Sequence, residues 1–269
     1  MDIQLKELYR DLLSIRMKDG KTIFDRIAPD DLCLAGHHVG RLYKGLMIYG
    51  QAMNGWQNGE NLGIDGLINE IGAGFNDYKE LYTIVDYNGW HGYTNGKPAK
   101  YHYKRSNFWK LNYLVITNAI DTNIEHFYVD QPQNEYDREK AFNNAWSQKI
   151  AWSNLYKVSY SEGGNPDSTI KNAINEVSLK IILREIELLK PKKILFNTGE
   201  NFFTDVALRD GNIFEVKKKM GTKNIIYTGR YKDICDIVVC RRPDEIKLHY
   251  SNNDILVEAK EILAAFDSI

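Results

Sequence analysis

The chain has 269 residues, of which 43% are hydrophobic and 26% are charged, and its formal net charge is −1. This length and composition are typical of a folded protein with one large domain or two small ones, and they exclude a globally disordered chain. The near-neutral charge argues against a strongly basic protein that coats nucleic acid.

The first half of the chain is predicted to contain helices, one buried strand and long loops. Apolar spacing predicts a helix over residues 3–17, and a near-continuous apolar run predicts a strand at 46–49 that is buried on both faces. Shorter helices are expected over 65–75 and over 107–119, the latter with Asn107 as its N-cap. Residues 86–105 are rich in Gly, Asn and aromatic residues, which indicates a functional loop or an inserted hairpin.

The second half is predicted to alternate strands and helices. Ser168 is expected to cap the longest helix, which ends before Pro191. The predicted strands are 150–158, 193–197, 224–227 and 234–240, and the predicted helices are 168–189, 201–208 and 253–266. This alternation predicts an α/β fold with three layers, α/β/α, and a mostly parallel central sheet.

We find no repeat or linker that would divide the chain. A single domain is therefore predicted over residues 1–269, with an N-terminal helical extension (about 1–40) and an inserted loop (about 86–105). No apolar run of about 18 residues is present, and the N-terminus lacks the layout of a signal peptide, so no membrane association is expected. The odd number of cysteines, without metal-ligand spacing, favours a reducing, cytoplasmic setting.

Polar residues follow several of the predicted strands. They are residues 51–54, 153–154, 198–200 and 241–244. In open α/β sheets the ligand lies beyond the carboxyl ends of the strands, so we expect these segments to line one crevice. They are rich in amide and guanidinium groups, and an Asn amide offers donors and an acceptor that match the Watson–Crick edge of a pyrimidine.

Sequence motifs for metal, nucleotide or phosphate chemistry are missing. The chain has no Gly-x-Gly-x-x-Gly, no Walker-type loop and no His-Glu-x-x-His, and its six histidines do not have metal-ligand spacing. Neither a metal ion nor another cofactor is predicted.

Two basic clusters, at 97–105 and 216–223, are candidates for contact with nucleic acid. For either cluster taken alone, a solvated surface is the better interpretation. The first is favoured as a DNA contact because Tyr101, His102 and Tyr103 lie among its cations, where rings can stack on bases. The predicted DNA-binding residues are Lys97, Lys100, Lys104, Arg105 and Arg241.

The order of these segments resembles the uracil-DNA glycosylase superfamily. In that family the first parallel strand ends in Gly-Gln-Asp-Pro-Tyr or in Gly-Met-Asn-Pro-Gly, and residues 50–55 here read Gly-Gln-Ala-Met-Asn-Gly. The family's next strand ends in an Asn that reads the pyrimidine edge, a position that Asn154 matches. Residues 105–111 and 192–203 are similar to further segments of the family, so the resemblance spans about 45–245.

The sequence departs from the family at two positions. Ala52 stands where the first branch has its acid, and no His precedes Pro243 in the last loop. Arg242 is the candidate that replaces this His, because it is a permanent cation that can stabilise a departing base anion. Asn54, or alternatively Gln51, is the candidate that positions the water molecule.

The resemblance implies a DNA glycosylase that acts without a metal. It would flip a pyrimidine nucleotide out of DNA, hold the base edge with Asn154 and Ser153, stack Trp56 on the base, and hydrolyse the N-glycosidic bond as a monomer. A catalytically inactive nucleic-acid-binding relative and a hydrolase or transferase of free nucleosides remain as alternatives. Repair and defence against phage with modified DNA both fit this activity.

The register of the 50–56 loop decides the choice of base. Without a gap, Asn54 occupies the place of the family's Tyr, which excludes bulk at the pyrimidine C5 position. A pocket open at C5 follows, and we expect a C5-modified pyrimidine to be excised better than uracil. In the other register, aligned with the Met-Asn branch, Asn54 is instead the residue that positions the water molecule. Ordinary structural roles are also open: Asn54-Gly55 is a common turn dipeptide, Asn154 fits a turn, Trp56 fits a core, and Arg242 fits a surface ion pair.

Overall fold

The computed structural model describes residues 2–27, 32–52, 62–76, 93–94, 97–98, 106–118, 146–160, 164–208, 213–219, 222–243 and 252–269. The helices among them are α1 (Ile3–Ser14), α2 (Ile64–Asn76), α3 (Asn107–Thr117), α4 (Ser168–Leu189), α5 (Glu200–Ala207) and α6 (Asn252–Asp267). The strands are β1 (Leu32–Leu34), β2 (His38–Val39), β3 (Leu46–Gly50), β4 (Tyr93–Thr94), β5 (Lys97–Pro98), β6 (Ile150–Asn154), β7 (Val158–Tyr160), β8 (Lys193–Asn197), β9 (Val216–Lys218), β10 (Ile225–Tyr231) and β11 (Cys235–Cys240).

Seven strands form one mixed sheet in the order β2-β6-β3-β8-β11-β10-β9. The four central strands β6, β3, β8 and β11 run parallel, which confirms the α/β class. The outer strands β2, β10 and β9 are antiparallel to their neighbours, so the expectation of a mostly parallel sheet was only partly right. For β10 the difference arises because only residues 232–234 join it to β11, and a short turn reverses the direction of the chain.

Helices cover both faces of the sheet. Successive side chains of a strand point to opposite faces, so alternate core residues belong to different layers. Met47 and Tyr49 pack in the layer that contains α1, α4 and α5, whereas Ile48 packs in the layer that contains α3 and α6. The sheet is therefore the middle of three layers, and its carboxyl edge is left for the loops.

The N-caps of two helices lie one residue earlier than predicted. Ser106, rather than Asn107, accepts a hydrogen bond from the backbone N–H of Trp109. Asp167, rather than Ser168, accepts from two backbone N–H groups in the first turn of α4. Both caps have the extended or near-extended backbone of a residue outside the helix, which is where an oxygen can reach these N–H groups.

The strand predicted at 150–158 was too long. β6 ends at Asn154, and the chain then turns, with the Leu155 N–H donating to the Gly50 carbonyl and the Tyr156 N–H donating to the Gln51 carbonyl, both at 2.9 Å. These bonds fold the segment after β6 over the end of β3. The polar end of β6 is thereby fixed beside the loop that follows β3.

Parts of the predicted N-terminal extension belong to the main core. α1 packs against α4, and β2 pairs with β6 at one side of the sheet. The single domain over 1–269 stays a prediction. Within the inserted loop predicted at 86–105, the structure describes only the short antiparallel pair β4–β5, and the rest of the loop lies outside the described residues.

None of the described helices has both the length and the apolar character that crossing a bilayer requires. Cys33, Cys235 and Cys240 are buried free thiols. Burial raises the pKa of all three thiols, which makes them poor nucleophiles at neutral pH.

Glu258 places a carboxyl group in the layer between the sheet and α6. The residue is only 1% exposed, and neither carboxyl oxygen has a hydrogen-bond partner within the described residues. Burial, together with the nearby Glu261, raises its pKa to about 8, although Arg241 acts in the opposite direction. The carboxyl group is therefore protonated at neutral pH in the folded protein.

We expect this carboxyl group to make the protein less stable as the pH rises. Between its ordinary pKa of 4.5 and its folded value of about 8, the unfolded chain releases the proton while the folded chain retains it, so the free energy of unfolding falls. Each pKa unit corresponds to about 1.4 kcal/mol, so the loss over this interval should reach several kcal/mol. Urea unfolding from pH 5 to pH 9 measures it.

Glu258→Gln removes this titration, so its free energy of unfolding should vary less with pH over the same interval. Glu7→Gln, at an exposed position on α1, is the matched control and should follow the wild type. A Glu258→Gln variant with the pH dependence of the wild type would contradict the assignment.

Candidate active site

The crevice between the carboxyl ends of β3 and β8 is the topological switch point of the sheet. Numbered along the chain, the four parallel strands lie in the order second, first, third, fourth, so the order reverses between β3 and β8. Ligands of open α/β sheets bind at such a reversal, outside the carboxyl ends of the strands. The residues that follow these strands are therefore the first to consider as a site.

Gln51 joins three strand ends at this crevice. The residue directly follows β3 and is 6% exposed. Its Nε2 donates to the carbonyl of Thr198, which follows β8, at 2.7 Å. Its Oε1 accepts from Nη1 of Arg242, which follows β11, at 2.6 Å. Both the nitrogen and the oxygen of the Gln51 amide are thus engaged, and the bond to Oε1 orients Arg242. The alternative role of Gln51 in positioning water stays a prediction.

Asn154 lies next to this bridge, over the end of β3. It is 3% exposed, and its side chain has no hydrogen bond to any other described residue. Gly50 makes room for it, because a Cβ at Gly50 would lie 2.7 Å from Asn154 Oδ1 and 3.6 Å from the Phe108 ring. Neither polar atom of this amide is among the fully buried atoms without a partner, so the amide is accessible from the crevice and can bond a ligand or an ordered water molecule.

A second amide, Asn197, lies in the same row of the sheet and was not among the predicted site residues. Gly50 pairs with Asn154 on one side, and the register of β3 with β8 brings it next to Asn197 on the other. Asn197 is fully buried, its Oδ1 accepts from Cys240 Sγ at 3.6 Å, and its Nδ2 has no hydrogen-bond partner in the described part of the chain. Since neighbouring strands are about 4.8 Å apart, the two Asn backbones are roughly 10 Å apart across Gly50.

Ser153 points to the opposite face of the sheet, into a buried ionic network. Its hydroxyl donates to the carboxylate of Glu185 on α4 at 3.1 and 3.2 Å and accepts from Lys157 Nζ at 2.7 Å. Lys157 also donates to both Glu185 oxygens, at 2.8 and 2.9 Å. The Ser153 hydroxyl thus anchors the end of β6. Ser153 was predicted to hold the base edge together with Asn154, but the structure directs its side chain away from the crevice amides.

Two more side chains converge on Glu185. The Tyr49 hydroxyl donates to it at 3.1 Å, and His37 Nδ1 lies 3.3 Å from it. Desolvation acts to raise the pKa of Glu185, but the Lys157 ammonium group and the His37 contact outweigh it, and the net pKa is lowered. The carboxylate is therefore ionised, and it ties β3, β6, the turn after β6 and α4 together beneath the crevice.

Of the other predicted site residues, the structure describes only Arg241 and the backbone of Lys97. Arg241 is exposed at the end of β11, and its N–H donates to the Asn224 carbonyl at 2.9 Å. The backbone of Lys97 lies in β5, which pairs with β4. Asn54, Trp56, Lys100, Lys104 and Arg105 lie outside the described residues.

This arrangement can bind a planar, uncharged hydrogen-bonding edge and stabilise a negative charge. Asn154 supplies the donor and acceptor groups, and Arg242 supplies a cation whose direction is fixed by Gln51. Over the residues that the structure describes, no three His, Cys, Asp or Glu side chains are grouped to hold a metal ion.

Comparison with known proteins found no relatives: no protein-family model matches the chain, and no curated protein sequence matches it. The geometry of the crevice therefore carries the functional assignment.

Gly50→Ala should displace the Asn154 amide without unfolding the protein. The added methyl carbon would lie 2.7 Å from Asn154 Oδ1, which is the end of a movable side chain, so the side chain should rotate away. We expect a changed NMR signal of the Asn154 side-chain amide and a loss of stability of at most about 1–3 kcal/mol. Gly63→Ala, where a Cβ meets open space, is the control. An unmoved Asn154 signal in Gly50→Ala would contradict the close packing.

Lys157→Met should destabilise the protein strongly, because it leaves the Glu185 carboxylate buried without its cation. The expected loss in denaturant unfolding is about 3–5 kcal/mol. The double variant Lys157→Met/Glu185→Gln should recover part of it, since no buried charge remains. Lys180→Met, which breaks an exposed pair with Glu176, should cost about 0.5 kcal/mol or less. Equal losses in the two lysine variants would be inconsistent with a buried ion pair.

Proposed function

We propose that the protein is a DNA glycosylase with a uracil-DNA glycosylase-like fold, which hydrolyses the N-glycosidic bond of a flipped pyrimidine nucleotide. One observation carries the proposal: at the switch point, the Asn154 amide lies over Gly50 without a hydrogen-bond partner among the described residues, and the next residue, Gln51, holds the Arg242 guanidinium. The first group suits the edge of a base, and the second suits the charge that develops when the base departs.

Recognition of the base is assigned to Asn154. A pyrimidine presents adjacent donors and acceptors on its Watson–Crick edge, and one amide can satisfy two of them. The absence of a side chain at Gly50 leaves the amide free to face the crevice. Because the amide has no partner among the described residues, a bound base would satisfy it rather than displace an existing hydrogen bond.

Departure of the base is assigned to Arg242. When the bond between the base nitrogen and C1′ of the sugar breaks, the electron pair stays on the base, which becomes an anion. A part-buried guanidinium, permanently charged and directed by Gln51 Oε1 at 2.6 Å, stabilises that anion without reorganising. Water then forms the new bond to C1′, and the proton that it loses passes to the departed base anion, which gives a C1′ hydroxyl and a neutral base. Asn54 remains the proposed residue that positions this water.

The partner and the assembly state belong to the same proposal. DNA is the proposed substrate, and a monomer is the proposed active form. The fold supports only the location of the site, since four parallel strands with helices on both faces present Gln51, Asn154, Thr198 and Arg242 at one edge.

A catalytically inactive nucleic-acid-binding relative is the second candidate. The observation that favours it is that the nitrogen and the oxygen of the Gln51 amide already bond other protein groups, Thr198 and Arg242. Such a protein would bind DNA and leave its bases in place.

Excision assays on DNA duplexes that carry different pyrimidines test the proposal. Uracil, 5-hydroxymethylcytosine and glucosylated 5-hydroxymethylcytosine are incubated with the protein, and alkali then cleaves the strand at each abasic site. We expect the C5-modified bases to be removed faster than uracil. Efficient removal of uracil alone would show that the pocket is closed at C5, and intact DNA in every case would favour the inactive relative.

Asn154→Ala should reduce excision at least about tenfold while the protein remains folded, because the base edge would lose its partner. Lys180→Met, at an exposed position on α4, serves as the folded control. Excision by Asn154→Ala at the wild-type rate would remove Asn154 from the site.

A further inference from the structure

The second basic cluster, which the sequence assigns to solvent, lies at the same edge of the sheet as the crevice. Residue Ile225 at the start of β10 pairs with Cys240 at the end of β11. The connection between β9 and β10 therefore lies at the carboxyl end of β11, the end that also carries Arg241 and Arg242. Lys219 and Lys223 belong to this connection.

Three cations at this edge have no ion-pair partner within the described residues. Lys223 and Arg241 are exposed and Lys219 is half-buried. None of the three has a carboxylate within ion-pair distance in the described ranges. Lys218 differs, because its ammonium group lies 2.7 Å from the Glu200 carboxylate and is already neutralised. We call Lys219, Lys223 and Arg241 the cationic rim.

Backbone hydrogen bonds hold the rim in place. The Arg241 N–H donates to the carbonyl of Asn224, beside Lys223, at 2.9 Å, which joins the end of β11 to the start of β10. The Lys219 N–H donates to the Ile226 carbonyl at 2.7 Å. The cations are thus presented from ordered backbone, so less conformational freedom is lost when they bind a partner.

The rim extends away from the crevice in one direction. The strands β11, β10 and β9 are consecutive neighbours, and a spacing of about 4.8 Å places β9 roughly 10 Å from β11. Along one strand of DNA, phosphates succeed one another about every 3.4 Å of helix rise, so this distance corresponds to about three base pairs. A row of cations of this length matches a phosphate backbone that passes beside the crevice.

We propose that the cationic rim binds the phosphate backbone of DNA and leads it to the crevice, with Lys219 and Lys223 as DNA contacts in addition to Arg241. The identity of the polyanion as DNA rests on the proposed function. The position and charge of the rim do not depend on it.

Salt dependence of binding tests the rim separately from catalysis. The probe is a 20-base-pair duplex without any modified base, and its affinity for the intact protein is measured by fluorescence anisotropy at several salt concentrations. Each phosphate contact adds about 0.9 to the slope of log affinity against log salt. Lys219→Gln/Lys223→Gln should therefore reduce the slope by about two.

Lys190→Gln/Lys192→Gln is the matched control. It removes the same charge from exposed positions before β8, at the opposite edge of the sheet, and should leave the slope unchanged. Arg241→Gln, which should reduce the slope by about one, serves as the second variant should the rim double variant fail to fold.

The outcomes separate the rim from the proposed function. A reduced slope in the rim variants alone supports the rim, whether or not the wild type excises any base. An unchanged slope, equal changes in rim and control variants, or no binding by the wild type overturns it, even if modified bases are excised. Loss of excision in every assay, with the rim result as expected, would contradict the proposed function alone.

Discussion

The buried carboxylate of Glu185 is the constraint on which the crevice depends. A charge with no exposure to water must be paired and hydrogen-bonded, and Glu185 achieves this with Lys157, Ser153 and Tyr49. These partners come from two neighbouring parallel strands and from the turn after the second. The requirement to neutralise one buried charge thereby fixes the ends of β3 and β6 relative to each other and to α4.

The opposite face of the same strand ends is left free for chemistry. Because side chains alternate along a strand, anchoring Ser153 toward α4 directs the next residue, Asn154, to the other face, over Gly50. The Gln51 bridge then adds Arg242 from a strand two positions away. One face of the strand ends is thus rigid and fully bonded, while the other presents an amide and a cation, the division expected of a preorganised site.

The periodicity of the sequence predicted the alternating strands and helices and the polar strand ends, because both are local properties. It could not predict that Gln51 meets Arg242, since that contact depends on the order of the strands in the sheet. Lys157 was not predicted to be buried, because lysine side chains are rarely buried unless they are paired. Its partner, Glu185, is distant in the sequence, so this pairing depends on the fold. The strand β9 was missed because its lysines resemble an exposed loop, although charged side chains are common on edge strands. Asn197 was missed because the polar segment after β8 was predicted to begin with the Thr198-Gly199 turn. The apolar strand β8 nevertheless ends in an Asn, as β6 does.

The central claim is that the crevice at the β3–β8 switch point receives a flipped base. NMR spectra of the protein with DNA that carries a 2′-fluorinated, hydrolysis-resistant C5-modified pyrimidine nucleotide measure this most directly. The account predicts that the side-chain signals of Asn154 and Arg242 change on binding, that those of Lys157 beneath the sheet change little, and that unmodified DNA of the same sequence leaves the Asn154 signal in place. DNA binding that alters signals elsewhere while the Asn154 and Arg242 signals stay unchanged would contradict it.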